Sequence, residues 1–344
     1  MRMSSRLLGD LTPRDFLRRY WQKRPLLIRG AIPECGTIVT KNALAALAAR
    51  DDVESRIVQR RGARRETRHG PFRRLALVEK NATLLVNGVN LHVAAADRLL
   101  QRFNFIPQAR LDDVMVSYAT PGGGVGPHVD RYDVFLVQGP GRRAWRVENK
   151  RFIVEAGDIL YLPPGVRHHG VALESCFTYS VGFRAPRGSE LGAAFLDWLH
   201  ERGLPEADYR DARLRPTGRS GEIPASLVAF AVSVLDRVRW TRADVERFLG
   251  EYLSEPKAHV VFAPGAKPRA LARSMVRLDP KTRLLYRGRR FFINGESFSV
   301  RGRVRGLREL ADRRVAEGRR LAGVRLHGLI SQWAALGYAH LEKA

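Results

Sequence analysis

Two short motifs near the middle of the sequence carry histidine and aspartate at spacings that suit a bound metal ion. The first is Gly-Pro-His128-Val-Asp130, and the second is His168-His169, which follows a Pro-Pro-Gly turn. On an extended strand, residues i and i+2 point to the same face, so the side chains of His128 and Asp130 converge. Adjacent strand residues point to opposite faces, so only one of His168 and His169 should complete the set. Two histidines and one carboxylate leave open metal positions for a co-substrate and dioxygen, which is typical of non-haem iron(II) oxygenases.

The segment from about residue 110 to 186 has the pattern expected of a small β-domain that would position these motifs. Short β-rich runs alternate with glycine and proline turns, which indicates an all-β sandwich or barrel. The runs are Asp113–Ala119, Tyr132–Gln138, Ala144–Glu148, Asp158–Leu162 and Phe177–Phe183. Around the third run, alternation puts Arg143 and Trp145 on one face and Arg142 and Arg146 on the other, so only one pair faces inward.

The segments before and after this domain are predicted to be richer in helix. The capping pattern Thr12-Pro13-Arg14-Asp15 predicts a helix that ends before Pro25. Other predicted elements are a strand Leu26–Ile28, helices at 41–50 and 93–103, a polar hairpin from Ile57 to Arg74, a strand Leu84–Val86, a helix Leu191–His200 and two helices within Ile223–Leu253.

The end of the chain is predicted to form a small separate module. After a linker at Pro256–Pro268, strands are expected at Arg283–Tyr286 and Arg290–Ile293, followed by the hairpin dipeptide Asn294-Gly295. Helices are expected near 307–314 and 326–341. Two helices with a β-wing suit a winged-helix-like module.

Length and composition limit the classes of protein to which the chain could belong. The 344 residues suggest two or three domains. Two cysteines, Cys35 and Cys176, cannot form a disulfide framework and suit free thiols in a reducing compartment. No apolar stretch is long enough for a membrane span, and Met1–Arg29 lacks a secretory core, so we expect a cytoplasmic protein.

The charge balance is strongly basic. Sixty Lys and Arg against 35 Asp and Glu give a net charge of +25. Such a charge attracts polyanions, which favours RNA or ribosomes as partners, although a solvated arginine-rich surface is an equally good explanation. The densest basic run comprises Arg60, Arg61, Arg64, Arg65, Arg68, Arg73 and Arg74.

Around the two metal motifs, the sequence resembles the bacterial JmjC ribosomal oxygenases. The resemblance covers Gly122–Phe135, which contains Gly-Pro-His-Val-Asp-Arg-Tyr-Asp-Val-Phe, and continues through the segments at 138–147, 158–168 and 179–186. It extends to Trp-Gln-Lys-Arg-Pro at 21–25, His-Gly-Pro-Phe at 69–72 and Asn-Gly-Glu at 294–296. Most of the chain is therefore covered, strongly over 110–186 and thinly after residue 200.

This resemblance implies a mainly β fold with α-helices: a double-stranded β-helix of the cupin, JmjC type, a helical dimerisation segment and a winged-helix-like C-terminal domain. The implied domains are 1–205 with a core at 110–186, 206–258 and 259–344. It implies that His128, Asp130 and His168 bind Fe(II), which favours His168 over His169. It further implies that Arg143 binds the far carboxylate of the co-substrate 2-oxoglutarate, assisted by Ser117. With dioxygen as the oxidant, the expected reaction is hydroxylation of an arginine β-carbon in a large-subunit ribosomal protein.

Two other functions remain open from the sequence. The same oxygenase chemistry suits a histidyl residue, a methylated lysine or a small molecule. A protein without turnover, with a vestigial metal site, would instead bind RNA or the ribosome through its basic surface. A homodimer is implied by the resemblance alone. The helices at 223–253 could pair through Leu227, Phe230, Val234 and Leu235 or pack on their own barrel.

Overall fold

The computed structural model describes residues 7–33, 35–62, 64–73, 80–265, 271–321 and 324–343. Arg74 of the basic run lies outside these residues, as does the end of the predicted linker at Pro268. Within the described residues the chain packs as two compact units. One comprises residues from 1–185, 256–282 and 303–344, and the other comprises 186–255 and 283–302. The domain boundaries predicted after residues 205 and 258 stay a prediction.

In the described part of the first 185 residues, twelve strands build two antiparallel sheets. They are β1 Leu26–Ile28, β2 Ser55–Arg61, β3 Arg64–His69, β4 Ala82–Val86, β5 Leu111–Ala119, β6 His128–Val129, β7 Val134–Gln138, β8 Arg143–Val147, β9 Lys150–Val154, β10 Ile159–Leu162, β11 Arg167–Ala172 and β12 Cys176–Phe183. The larger sheet has the order β1-β10-β7-β12-β5-β4-β2-β3, and the smaller has the order β6-β11-β8-β9.

Alternation along the central strands separates two apolar layers. One face of the larger sheet packs against the N-terminal helices through a buried aromatic cluster, whose members are Phe16, Phe103, Phe135, Tyr161, Tyr179 and Phe183. The other face points toward the smaller sheet, where Leu136 and Leu160 pack with Trp145 and Val147. Because these residues alternate in sequence, each strand contributes both to the outer core and to the space between the sheets.

Eight helices and six further strands complete the described part of the chain. The helices are α1 Pro13–Arg19, α2 Lys41–Ala48, α3 Ala94–Gln101, α4 Gly188–Glu201, α5 Ala225–Leu235, α6 Arg242–Ser254, α7 Arg305–Arg313 and α8 Val324–Ala335. The strands are β13 Ser274–Leu278, β14 Leu284–Arg287, β15 Arg290–Ile293, β16 Glu296–Ser299, β17 Val315–Glu317 and β18 Ala339–Lys343. Of these helices, none is long and apolar enough to cross a bilayer.

Threonine side chains cap the starts of α1, as predicted, and of α6. The Thr12 side chain accepts a hydrogen bond from the Asp15 backbone N–H, and Pro13 occupies the first helical position. Thr241 and Asp244 form a reciprocal capping box at the start of α6. These side chains satisfy backbone donors that would otherwise lack partners at the first turn.

The C-terminal segment confirms the predicted hairpin and corrects one helix. Asn294 and Gly295 both have positive φ and connect β15 to β16, as the hairpin dipeptide predicted. The predicted helix over 326–341 is wrong beyond Ala335, because Gly337 turns the chain with a φ of 76°. The following residues then pair as β18 with β13. This pairing is distant in sequence, so a local pattern could not indicate it.

Candidate metal centre

His128, Asp130 and His168 lie together at one end of the space between the two sheets. His128 of β6 pairs directly with His168 of β11 in the antiparallel ladder. The carboxylate Oδ2 of Asp130 is 3.9 Å from Nε2 of His128 and 3.6 Å from Nε2 of His168. One ligand atom from each residue lies within 4.8 Å of the other two. His169 lies on the opposite face of β11, as alternation requires.

Backbone carbonyls orient both imidazole rings. Nδ1 of His128 lies 2.9 Å from the Gly126 carbonyl oxygen, and Nδ1 of His168 lies 3.0 Å from the Val166 carbonyl oxygen. A carbonyl oxygen only accepts, so each Nδ1 carries the hydrogen and each Nε2 presents a lone pair toward Asp130. Such outer hydrogen bonds fix the tautomer and ring orientation of histidines that bind metals.

The aspartate is held by the turn that follows β6. The backbone oxygen of Asp130 accepts a hydrogen bond from the Gly165 N–H at 2.8 Å. Three residues later, the fully buried Asp133 accepts hydrogen bonds from the Tyr161 hydroxyl at 2.6 Å and from the Gln22 side-chain amide at 3.0 Å. The N-terminal Trp-Gln-Lys-Arg-Pro motif thus braces the segment that carries the metal motif.

The three residues open onto a cavity of about 470 Å³ between the sheets. Its lining contains Arg143 and Ser117, so all five predicted site residues meet in one cavity. Arg143 and Trp145 form the inward pair of β8, whereas Arg142 and Arg146 are exposed. The Arg143 side chain is 5% exposed, and among the described residues its Nε and Nη2 atoms have no hydrogen-bond partner. A buried guanidinium with unsatisfied donors is the feature expected of an anion-binding group.

Ser117 lies on the opposite wall from β8. It is 4% exposed, and it pairs with Thr178 of β12 across the larger sheet. Both residues line the cavity that contains Arg143. This wall therefore presents hydroxyl groups to the same space as the unsatisfied guanidinium.

An acidic pair in the cavity was missed by the sequence reasoning. Asp113, Met115 and Ser117 occupy alternate positions of β5 and all line the cavity. The Lys257 ammonium lies 2.9 Å from Asp113 Oδ2 and 3.4 Å from Asp112 Oδ1. Alternation from Ser117 could have identified Asp113, because residues i and i+4 of a strand share a face. Lys257 is distant in sequence, so no local signal indicates it.

Burial shifts the protonation of several cavity groups. Burial lowers the pKa of His168, and the neighbouring His128 lowers it further, which favours the neutral imidazole. Burial raises the pKa of Asp113, and the Lys257 ammonium opposes that shift. Burial raises the pKa of Tyr132 to about 12, so its hydroxyl stays protonated at neutral pH.

Comparison with known proteins gives the same picture of the chain. A JmjC domain profile matches residues 98–152 and 148–191, and a ROXA-like winged-helix profile matches residues 237–340. The chain is 35% identical over 278 residues to the ribosomal protein uL16 3-hydroxylase of Escherichia coli K12, covering 74% of each protein. This chain belongs to the JmjC ribosomal oxygenase family.

Other ribosomal oxygenases extend the comparison. A probable ribosomal oxygenase of Haemophilus influenzae is 36% identical over 211 residues, which cover 53% of this chain and 52% of that protein. The solved structure of YcfD, a ribosomal oxygenase from Escherichia coli in complex with cobalt and 2-oxoglutarate, matches with a TM-score of 0.83 and 31% identity. That match covers 96% of this chain and 98% of the YcfD chain. The predicted family is thus confirmed, as is the predicted JmjC-type cupin fold with a winged-helix module near the C-terminus.

Proposed function

We propose that this ribosomal oxygenase is an Fe(II)- and 2-oxoglutarate-dependent protein hydroxylase that modifies the β-carbon of an arginine in a large-subunit ribosomal protein. The observation that carries the proposal is the meeting of a His-Asp-His cluster and an unsatisfied buried guanidinium in one cavity. The relative named as a uL16 3-hydroxylase supports the same reaction, because carbon 3 of an amino acid is its β-carbon.

The cluster fits a divalent iron ion. Two neutral imidazoles and one carboxylate form the ligand set that iron(II) oxygenases use, and both rings already present Nε2 toward the carboxylate. When bound, Fe(II) supplies the activation of dioxygen that hydroxylation of an unactivated carbon requires. His128, Asp130 and His168 would hold the ion, and the backbone carbonyls behind both rings would keep them from turning away.

The part of the cavity lined by Arg143 and Ser117 fits 2-oxoglutarate. The unpaired guanidinium donors of Arg143 would bind the carboxylate distant from the metal, and Ser117 would donate one further hydrogen bond. This guanidinium is buried, so a charge-assisted hydrogen bond there is stronger than at the surface. The YcfD structures contain cobalt with 2-oxoglutarate or with succinic acid, which supports the same pair of ligands here.

A cationic substrate side chain fits the remaining wall. The carboxylates of Asp112 and Asp113 both line the cavity, so a guanidinium entering from solvent would find oxygens there that accept its hydrogen bonds. A neutral histidine gains less from such a carboxylate than arginine does. This charge pattern supports arginine over the histidyl alternative.

We also propose that the enzyme acts as a homodimer in the cytoplasm. Helix α5 has the sequence Ala-Ser-Leu-Val-Ala-Phe-Ala-Val-Ser-Val-Leu, yet it has no buried residue. Val228, Val232 and Leu235 are 50%, 52% and 68% exposed. Exposed apolar surface of this kind marks interaction sites, and a second copy of α5 would cover it with matching apolar side chains.

The test is succinate formation from 2-oxoglutarate with Fe(II), ascorbate and air, with and without peptides that span the arginines of the host's large-subunit ribosomal proteins. We expect peptide-stimulated succinate and a product heavier by one oxygen atom on a single arginine. His128→Ala should lower turnover by more than about 100-fold, because losing a metal ligand costs more than losing an outer-shell partner.

His169→Ala is the matched control and should retain turnover, since His169 lies on the other face of β11. Oxidation of a histidine, a methylated lysine or a free small molecule would replace the arginine assignment with that substrate. Binding of Fe(II) without turnover on any peptide would contradict the enzyme and favour a basic protein that only binds RNA or the ribosome.

A further inference from the structure

Arginines stand directly opposite one another across strands beside the catalytic cavity. In the β2–β3 hairpin, Arg60 pairs with Arg65, and in the smaller sheet Arg146 pairs with Arg151. All four side chains are exposed. Like charges directly opposite one another destabilise a sheet. A bound anion would relieve this repulsion.

The hairpin arginines lie next to the wall of the cavity but outside its lining. Val58 of β2 and Thr67 of β3 line the cavity, and Arg60 and Arg65 are the next residues on the same faces of these strands. The Arg65 side chain passes over Gly126, where an added Cβ would lie only 2.8 Å from Arg65 Nε. Gly126 therefore gives Arg65 room beside the metal motif.

Both groups of arginines lie beside the strands that carry the metal motifs. Arg146 lies opposite His169 across the β8–β11 ladder. Arg65 lies over Gly126, whose carbonyl oxygen is 2.9 Å from Nδ1 of His128, and His128 pairs with His168, the residue before His169. The arginines beside these strands therefore border the cavity mouth. We call Arg60, Arg65, Arg146 and Arg151 the cationic rim.

The rim is not neutralised by carboxylates of the described chain. Arg61 pairs with Glu66, but Arg60, Arg65 and Arg146 have no carboxylate within 4.0 Å among the described residues. Their side chains are exposed, and planar guanidinium groups bind phosphate oxygens with two parallel hydrogen bonds.

We propose that Arg60, Arg65, Arg146 and Arg151 bind the phosphate backbone of RNA at the mouth of the cavity, and that the substrate is modified while in contact with that RNA. The second half rests on the proposed function. A protein with a net charge of +25 repels a substrate that is itself cationic, and RNA held at the rim would reverse that repulsion. RNA would thereby bring an RNA-bound ribosomal protein to the cavity.

The test is the affinity of the full-length protein for a fluorescein-labelled polyuridine of about 20 nucleotides, measured by fluorescence anisotropy over a range of salt concentrations. The triple variant R60Q, R65Q and R146Q should raise the Kd at least about 10-fold near physiological salt. The slope of log K against log salt should become shallower by about 2, because each lost phosphate contact contributes roughly 0.7 for single strands.

Two variants control this result. The triple variant R210Q, R213Q and R215Q removes the same charge from exposed positions in the other compact unit and should change the Kd less than about twofold. The triple variant R60K, R65K and R146K keeps the charge and should retain the slope of log K against log salt. Equal losses in both glutamine variants, or equally effective competition by polyglutamate, would overturn a phosphate-binding rim.

Turnover tests separately whether the substrate is modified while in contact with RNA. The rim glutamine variant should hydroxylate a free peptide within about twofold of the wild-type rate, because its residues lie outside the cavity lining. The variant should be slower than wild type on the full-length substrate protein bound to an rRNA fragment. Equal rates of the variant and the wild type on the RNA-bound substrate would overturn the proposal that the substrate is modified while in contact with RNA. The anisotropy measurement needs no turnover, so RNA binding stays testable if the hydroxylase proposal fails.

Discussion

In the barrel, the aromatic side chains Phe16, Phe103 and Phe135 are fully buried, whereas helix α5 is as apolar as a core helix and buries none of its residues. The barrel completes its core within the chain, since both faces of the central strands of its larger sheet are covered. Helix α5 does not, since its apolar side chains remain exposed. Intramolecular packing therefore supports the cavity, while the apolar side chains of α5 stay available to the second copy proposed above.

The largest expected difference between the two regions is in stability. Phe103→Ala should lower the free energy of unfolding by about 3–5 kcal/mol, because it removes a fully buried ring. The centroid of this ring lies 4.8 Å from that of Phe135. Leu235→Ala in α5 should change stability little at low protein concentration and more at high concentration. Denaturant unfolding at two protein concentrations measures both effects. A loss of stability in Leu235→Ala that does not depend on protein concentration would contradict the comparison.

A charge introduced into α5 should break the proposed dimer. Val228→Glu would bury an unpaired carboxylate in the interface, so the dissociation constant should rise at least about 100-fold. Light scattering coupled to gel filtration measures the mass. Ile153→Glu is the control, because Ile153 is 50% exposed on the barrel, as Val228 is on α5. Loss of the dimer in both variants, or in neither, would argue against α5 as the interface.

The smallest of the three effects should lie inside the barrel and leave the oligomer unchanged. Arg143→Gln removes a charge-assisted hydrogen bond of about 1.5–3 kcal/mol, so the KM for 2-oxoglutarate should rise roughly 10- to 150-fold. Arg142→Gln removes only an exposed ion pair with Glu174 and should leave that KM nearly unchanged. Steady-state succinate formation at varied 2-oxoglutarate distinguishes the two, and equal effects would remove Arg143 from its proposed role.

Strand alternation predicted which residues of the site share a face, but not which face points into the cavity. Alternation established that His168 and His169 face opposite ways, as do Arg142 and Arg143. It could not say which faces inward, because that depends on where the other sheet lies. The structure buries His168 and Arg143 and leaves Arg142 exposed.

Elements that depend on distant partners were harder to predict. Strand β9 was not predicted, and strands β6 and β11 were predicted only as the extended segments that carry His128 and His168, without their bounds or their pairing. All three lie in the smaller sheet, where pairing with β8 or β11 rather than local propensity defines them. Lys257 reaches Asp113 across 144 residues, so the ammonium in the cavity has no signature in the local sequence.

The two ends of the larger sheet have a consequence for how the protein avoids aggregation. An edge strand exposes backbone donors and acceptors that can pair with another chain. Strand β1 is only three residues long at one edge, and β3 at the other edge is exposed throughout and carries Arg64, Arg65 and Arg68. Two such edges from different molecules would bring rows of guanidinium groups together and repel each other. The charge on β3 therefore protects an eight-stranded sheet from growing by β-strand addition between molecules.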